Sequence, residues 1–275
     1  MNKKIISNLI LICLMMNLSL NALPSGFVYI EDIDKSIIVN LKYFTNDNFI
    51  GRRVPHYKAN RGIMTRDTAI ALSKAQKKFL KKGYSIVIYD AYRPASSVTY
   101  FMEWMEDESD NIRKKYHYPY VEQKKDMKDI YIASKSGHSR GSTVDMTIIK
   151  VENKLLTQSV YEERIFNGKV YPFNDDNTID CGTSYDLMDP ASWSDNNPMK
   201  FTSKQLYNRN FIRSIMESSG FKVLPEEWWH FSLEKETFPK SRTHFRLSYH
   251  HHFSGWMDTD FHKVYTRSWN VEVHR

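Results

Sequence analysis

The stretch Ser136-Gly137-His138-Ser139-Arg140-Gly141-Ser142-Thr143-Val144-Asp145-Met146-Thr147-Ile148 decides the reading of this chain. It begins as a polar turn and ends as a strand. From Val144 to Ile148 apolar and polar residues alternate, with Val144, Met146 and Ile148 on one side and Asp145 and Thr147 on the other. That period of two predicts a half-buried strand whose polar face carries a carboxylate. Gly141 marks the turn, so an imidazole (His138) and a carboxylate (Asp145) stand on either side of one reversal.

Working outward, Ser85 to Tyr89 contains the run Ile86-Val87-Ile88, the pattern of a strand buried on both faces. Before it, Ala69, Ile70, Leu72, Ala75, Phe79 and Leu80 make an apolar face over about 67–82, with Thr65 as N-cap and Gly83 as stop. Short β-prone stretches lie at Phe27-Val28-Tyr29-Ile30 and Ile37-Ile38-Val39, and a helix is expected from about 95 to 106. On the C-terminal side, 150–200 reads as loop-rich. Thr202-Ser203-Lys204-Gln205 has capping-box spacing ahead of a helix to about Ser219. Glu227 to Ser232 reads as a last, aromatic strand. Strands and helices are interspersed, so the expected class is α+β: a single domain with a small, mostly antiparallel sheet flanked by helices and a metal site at the sheet.

The ends differ from the middle. Lys3 and Lys4 precede an apolar run from Ile5 to Leu20, followed by Asn21, Ala22, Leu23 and Pro24, so residues 1–22 read as a signal peptide. Ser7, Asn8, Asn17 and Ser19 interrupt the run, which is short for a bilayer span. A periplasmic or secreted protein with no membrane attachment after signal removal is the expectation. Cys13 follows Ile12 instead of a small residue, which argues against a lipoprotein. Cys181 is then the sole cysteine of the mature chain, so no intramolecular disulfide forms, although the compartment is oxidising.

The formal net charge is +7, or +5 without Lys3 and Lys4, and the excess is spread through pairs such as Lys77-Lys78 and Lys81-Lys82. Dispersed charge of this size is a solvated face. With no clustered stripe and no reading motif, nucleic acid is not an expected partner.

Chemistry-bearing residues concentrate in three places. His138 and Asp145 are joined downstream by Glu226-Glu227-Trp228-Trp229-His230, which adds an imidazole and two more carboxylates. Two histidines and an aspartate suit a catalytic zinc, which keeps three protein ligands and an open position for water. A free carboxylate then serves as general base; Glu227, three residues before His230, is the candidate, and Glu226 competes with it. In Tyr89-Asp90-Ala91-Tyr92-Arg93-Pro94, Arg93 emerges at the end of the buried strand, either to stabilise an oxyanion or as half of a structural ion pair with Asp90.

Arg93 in Tyr-Arg-Pro, His138 and Asp145 in Ser-x-His-x-x-Gly-x-x-x-Asp, and Glu227 and His230 in Glu-Trp-Trp-His together resemble the D-alanyl-D-alanine dipeptidases, the VanX-like zinc peptidases. The likeness runs over about 27–240 and takes in Tyr43 before Asp47-Asn48-Phe49-Ile50-Gly51, the block Cys181-Gly182-Thr183-Ser184-Tyr185-Asp186, and Arg213-Ser214-Ile215-Met216. The resemblance implies one Zn2+ held by His138, Asp145 and His230, Glu227 as general base and Arg93 as the transition-state cation. It implies that Tyr43, Ser136 and Asp186 contact a small D-amino-acid dipeptide, Asp186 taking the ammonium group, in a domain over 23–240. Three features depart from the family pattern: Gly137 where some relatives carry a hydroxyl, a longer stretch between Asp145 and Cys181 that could widen the pocket, and a C-terminal extension over 241–275. The run Tyr249-His250-His251-His252 in that extension reads as solvated. Two other readings stay open: a D,D-carboxypeptidase trimming peptidoglycan stems, and a catalytically silent wall-binding module stapled by zinc.

Overall fold

A computed structural model describes residues 23–240, apart from 157, 159 and 196. The signal-peptide expectation for 1–22, the extension at 241–275 and its histidine run lie outside the described residues. The centre of the fold is a five-stranded sheet in the order β2 (Ile38–Val39), β4 (Tyr84–Asp90), β5 (Thr143–Lys150), β9 (Glu227–Leu233), β8 (Phe221–Leu224). Only β2 and β4 run parallel; the remaining pairs are antiparallel. The expected α+β class with a mostly antiparallel sheet is borne out.

β4 forms where Ile86-Val87-Ile88 places β-branched side chains on both faces, and every residue from Ser85 to Asp90 is buried. β5 departs from expectation. Its polar face is covered as well, so Thr143 through Ile149 are all buried and the strand is a central one, not half-exposed. The reason lies on that face: Tyr185, its ring 4.8 Å from Tyr89, and the side chain of Arg93 roof it over.

Two long helices hold the sheet. α2 (Arg66–Leu80) buries Ala69, Leu72, Ala75 and Phe79 against β4, and α5 (Ser203–Glu217) buries Ile212 and Met216 against β8 and β9. The helices meet where the Phe79 and Phe211 rings pack edge to face, centroids 5.8 Å apart. α5 starts with the expected capping box: Thr202 Oγ1 accepts from the Gln205 amide at 3.2 Å and Gln205 Oε1 accepts from the Thr202 amide at 3.0 Å. Losing such a cap costs about 1 kcal/mol. Thr65 takes the N-cap position of α2, but its hydroxyl bonds Thr68 Oγ1 at 2.6 Å instead of a backbone amide.

The remaining elements are shorter. β1 (Phe27–Tyr29) pairs with β3 (Ile63–Thr65), and α1 (Ile30–Ile33) follows β1 directly. α3 (Ala95–Glu106) supplies Phe101 and Trp104 to an aromatic cluster with Tyr43 and Phe49. The region read as loop-rich contains a hairpin, β6 (Val160–Phe166) and β7 (Lys169–Asp175). Its alternation escaped the sequence reading because Ile165 and Val170 face solvent on an isolated two-stranded ribbon. Among the described residues no helix is long and apolar enough to cross a membrane.

Candidate metal centre and cavity

The register of three strands builds the site. Asp145 in β5 stands opposite Asp90 in β4 on one side and opposite His230 in β9 on the other. His138 arrives from a 3₁₀ turn, Gly137–Arg140, whose first amides are capped by Ser136: its Oγ accepts from the His138 amide at 3.2 Å. Gly141 closes that turn at φ +75°, and a Cβ there would lie 2.3 Å from the Phe27 ring, so only glycine fits.

His138 Nδ1 donates to the Ala91 carbonyl at 2.8 Å, which fixes the tautomer and leaves the Nε2 lone pair facing the cluster. Nε2 lies 3.2 Å from Asp145 Oδ1 and 3.4 Å from His230 Nδ1, and His230 Nδ1 lies 3.1 Å from Asp145 Oδ1. The three ligating atoms all fall within 4.8 Å of one another. Asp145 Oδ1 is buried and has no hydrogen-bond partner, whereas Oδ2 accepts from the Tyr185 hydroxyl at 3.1 Å. One carboxylate oxygen is thus held and the other left bare beside two imidazole nitrogens, a donor set that fits zinc.

The electrostatics point the same way. Burial alone would lower the pKa of His230, but Asp145 and Glu227 raise it to about 10. Burial works against an ionised Asp145, yet His138 and His230 hold its carboxyl below the usual range.

Glu227 reaches the cluster through a strand irregularity. Val223 pairs with Phe231, but the next β8 residue, Leu224, pairs with Glu227, so β9 carries extra residues at that point. The slip lets residues three apart, normally on opposite faces, share a side. Glu227 Oε2 sits 3.2 Å from His230 Nδ1 and the side chain is buried. Glu226 lines the same cavity half-buried.

Arg93 makes the ion pair the sequence allowed and also faces the cavity. Its Nε donates to Asp90 Oδ2 at 2.9 Å, and an Nη nitrogen comes within 3.5 Å of Asp145 Oδ2, while the guanidinium also lines the cavity over the Tyr43 ring, 5.1 Å from its centroid. Asp90 is fully buried and its other oxygen accepts from Tyr57 at 2.8 Å, which locks the pair. Across the cavity, Tyr43 donates to Asp186 Oδ2 at 2.8 Å. Burial, and then the neighbouring Asp145 and Glu227, push the Asp186 carboxyl well above the ordinary carboxylate range.

Tyr43, Arg93, Ser136, His138, Asp145, Asp186, Glu227 and His230 all line one cavity of about 510 Å³. The structure therefore brings together every residue singled out from the sequence. It adds Tyr185 and Tyr57, which the sequence reading passed over: Tyr185 was inside a quoted block, whereas nothing local marks Tyr57. Among the described residues, none of the long stretch between Asp145 and Cys181 lines the cavity.

Bare imidazole and carboxylate donors, a spare glutamate and a buried guanidinium around one cavity make a hydrolytic site. A family model described as D-ala-D-ala dipeptidase matches residues 24–158 and 169–248, and the chain belongs to this family of peptidases. It is 33% identical over 216 residues to a D-alanyl-D-alanine dipeptidase of Enterococcus faecium, covering 78% of this chain and 95% of the relative. The same name is carried by a relative from Enterococcus faecalis, 32% identical over 82% of this chain and 100% of its own length, and by one from Streptomyces coelicolor, 31% identical with the same coverage.

Proposed function

We propose that this protein is a zinc-dependent dipeptidase that hydrolyses D-alanyl-D-alanine to free D-alanine, and that residues 1–22 direct it out of the cytoplasm. The observation that carries the reading is the placement of Glu227 beside the His138, Asp145 and His230 donors, with Arg93 and Asp186 facing the same space. When bound by His138 Nε2, Asp145 Oδ1 and His230 Nδ1, zinc supplies Lewis-acid activation of water and of the scissile carbonyl. Glu227 takes the proton from the attacking water and passes it to the leaving amine. Arg93, held by Asp90, stabilises the developing oxyanion without having to reorganise. Asp186 and Tyr43 receive the substrate ammonium, and Ser136 lines the wall next to His138. The polar groups at fixed places set the register of a short substrate carrying a charge at each end.

One observation favours a second reading, trimming of longer stem peptides. The cavity is of drug-ligand size, and Ile130, Tyr131, Trp193 and Leu224 line it together with the polar groups. A silent zinc-stapled module has no use for Glu227 or Arg93.

The test offers zinc-reconstituted protein D-Ala-D-Ala, L-Ala-L-Ala and a stem pentapeptide, and measures released alanine. The expected outcome is release from D-Ala-D-Ala. Cleavage of the pentapeptide with none of the dipeptide replaces this proposal by the second, and no cleavage with zinc still stoichiometric leaves the silent module.

A further inference from the structure

His117, the last residue of α4 (Lys114–His117), is buried and is not among the residues that line the cavity. Its Nδ1 lies 3.1 Å from the Asp186 carbonyl oxygen and its Nε2 lies 3.2 Å from Arg113 Nη2. A guanidinium only donates, so Nε2 is the acceptor and the proton sits on Nδ1, from which it is donated to Asp186. Burial and the neighbouring Arg113 push the His117 pKa down to about 3, in keeping with a neutral ring. The backbone of the same residue makes a second tie, its carbonyl accepting from the Met188 amide at 2.7 Å.

These two bonds clamp a segment that needs clamping. Asp186 has φ +56°, a left-handed conformation sparsely populated by non-glycine residues, and in it the carboxylate meets the Tyr43 hydroxyl at the cavity wall. Behind His117 the network continues outward. Arg113 Nη2 donates to the Tyr161 hydroxyl and lies 3.4 Å from Asp47 Oδ1, and the Tyr116 and Tyr161 rings pack with centroids 4.4 Å apart. Tyr161 belongs to β6, all of which falls in the interval 159–168 that the family model skips.

We infer that His117 is a positioning residue that sets affinity for the ammonium end of the substrate by holding Asp186 in its left-handed conformation, and that the β6 hairpin supports it through Tyr161 and Arg113. The inference rests on Asp186 as the ammonium partner in the proposed reaction. Losing the His117 bond lets Asp186 relax toward ordinary backbone angles, which turns its carboxylate out of register while leaving the metal donors on β5 and β9 in place.

Zinc-loaded wild type, His117→Ala, His117→Asn and Tyr161→Phe are compared on D-Ala-D-Ala and on N-acetyl-D-Ala-D-Ala, with zinc stoichiometry and melting temperature measured alongside. The expected result for His117→Ala is a KM for D-Ala-D-Ala raised about tenfold, the worth of one hydrogen bond to a strained segment, with kcat and zinc content nearly unchanged. Preference for the free amino terminus over the acetylated one falls by the same factor. Asparagine, whose amide N–H reaches the Nδ1 position, restores most of the loss, and Tyr161→Phe shows a smaller loss of the same kind. An unchanged KM and preference in His117→Ala, or a loss confined to kcat in any variant, overturns the inference. If His117→Ala does not fold, a His117→Asn variant with altered kcat alone overturns it equally. Wild type that releases no D-alanine defeats the dipeptidase reading itself, and this inference with it.

Discussion

The Tyr185 hydroxyl donates to Asp145 Oδ2 at 3.1 Å, so the aspartate presents only Oδ1 to the two imidazoles. Outer partners that orient a ligating carboxylate raise metal affinity by limiting the conformations it must give up. Tyr185→Phe is expected to keep the fold, since the ring still packs on Tyr89 and Trp229, and to weaken zinc binding about 10- to 100-fold. Competition with a chelator of known affinity measures it; unchanged affinity refutes the orienting role.

Glu227 and His230 touch each other but are assigned different tasks. Glu227→Ala is expected to retain stoichiometric zinc while turnover falls about 10²- to 10⁴-fold, the usual worth of a general base. His230→Ala is expected to lose the metal. Zinc analysis and D-alanine release on the same preparations separate the two, and an active Glu227→Ala enzyme removes the assignment.

The raised pKa of His230 has a consequence for the metal-free protein. A group whose pKa rises from 6.5 to about 10 on folding stabilises the fold in full below 6.5 and loses that contribution as pH climbs through 10. The melting temperature of chelated protein is therefore expected to fall between pH 6.5 and pH 10. Zinc, which needs His230 neutral, is expected to release about one proton on binding at pH 8 and to remove that alkaline fall. A flat melting profile for the chelated protein, or zinc uptake without proton release, contradicts the geometry.

Gly141→Ala is expected to cost stability by about 1–3 kcal/mol, because φ +75° strains any side chain and the added Cβ meets the Phe27 ring at 2.3 Å. The same change shifts the turn that presents His138, so zinc affinity is expected to fall with stability. Denaturant unfolding and a zinc titration on one variant check both; lost stability at full affinity means the turn is only structural.

The sequence by itself determined the local elements. The apolar period placed a helix at about 67–82, found at Arg66–Leu80; the Thr202–Gln205 pair started a helix expected to reach about Ser219, found at Ser203–Glu217; and Ile86-Val87-Ile88 marked a strand buried on both faces. Imidazoles and carboxylates grouped beside turns also nominated His138, Asp145, Glu227 and His230, with Arg93 at a strand end, because such groups are chemically conspicuous without any coordinates, whereas Tyr43, Ser136 and Asp186 were implied only by the family resemblance. The β6–β7 hairpin stayed hidden, since its exposed apolar residues gave no core-facing signal. Only the tertiary structure decided the row Asp90, Asp145, His230, which depends on strand register, and the slip that turns Glu227 toward His230. It alone revealed Tyr57, Tyr185 and His117, whose partners lie 33, 40 and 69 residues away along the chain. Hydrophobic periodicity acts over a few residues and is written locally, whereas a hydrogen bond between distant segments exists only once packing has closed the chain between them.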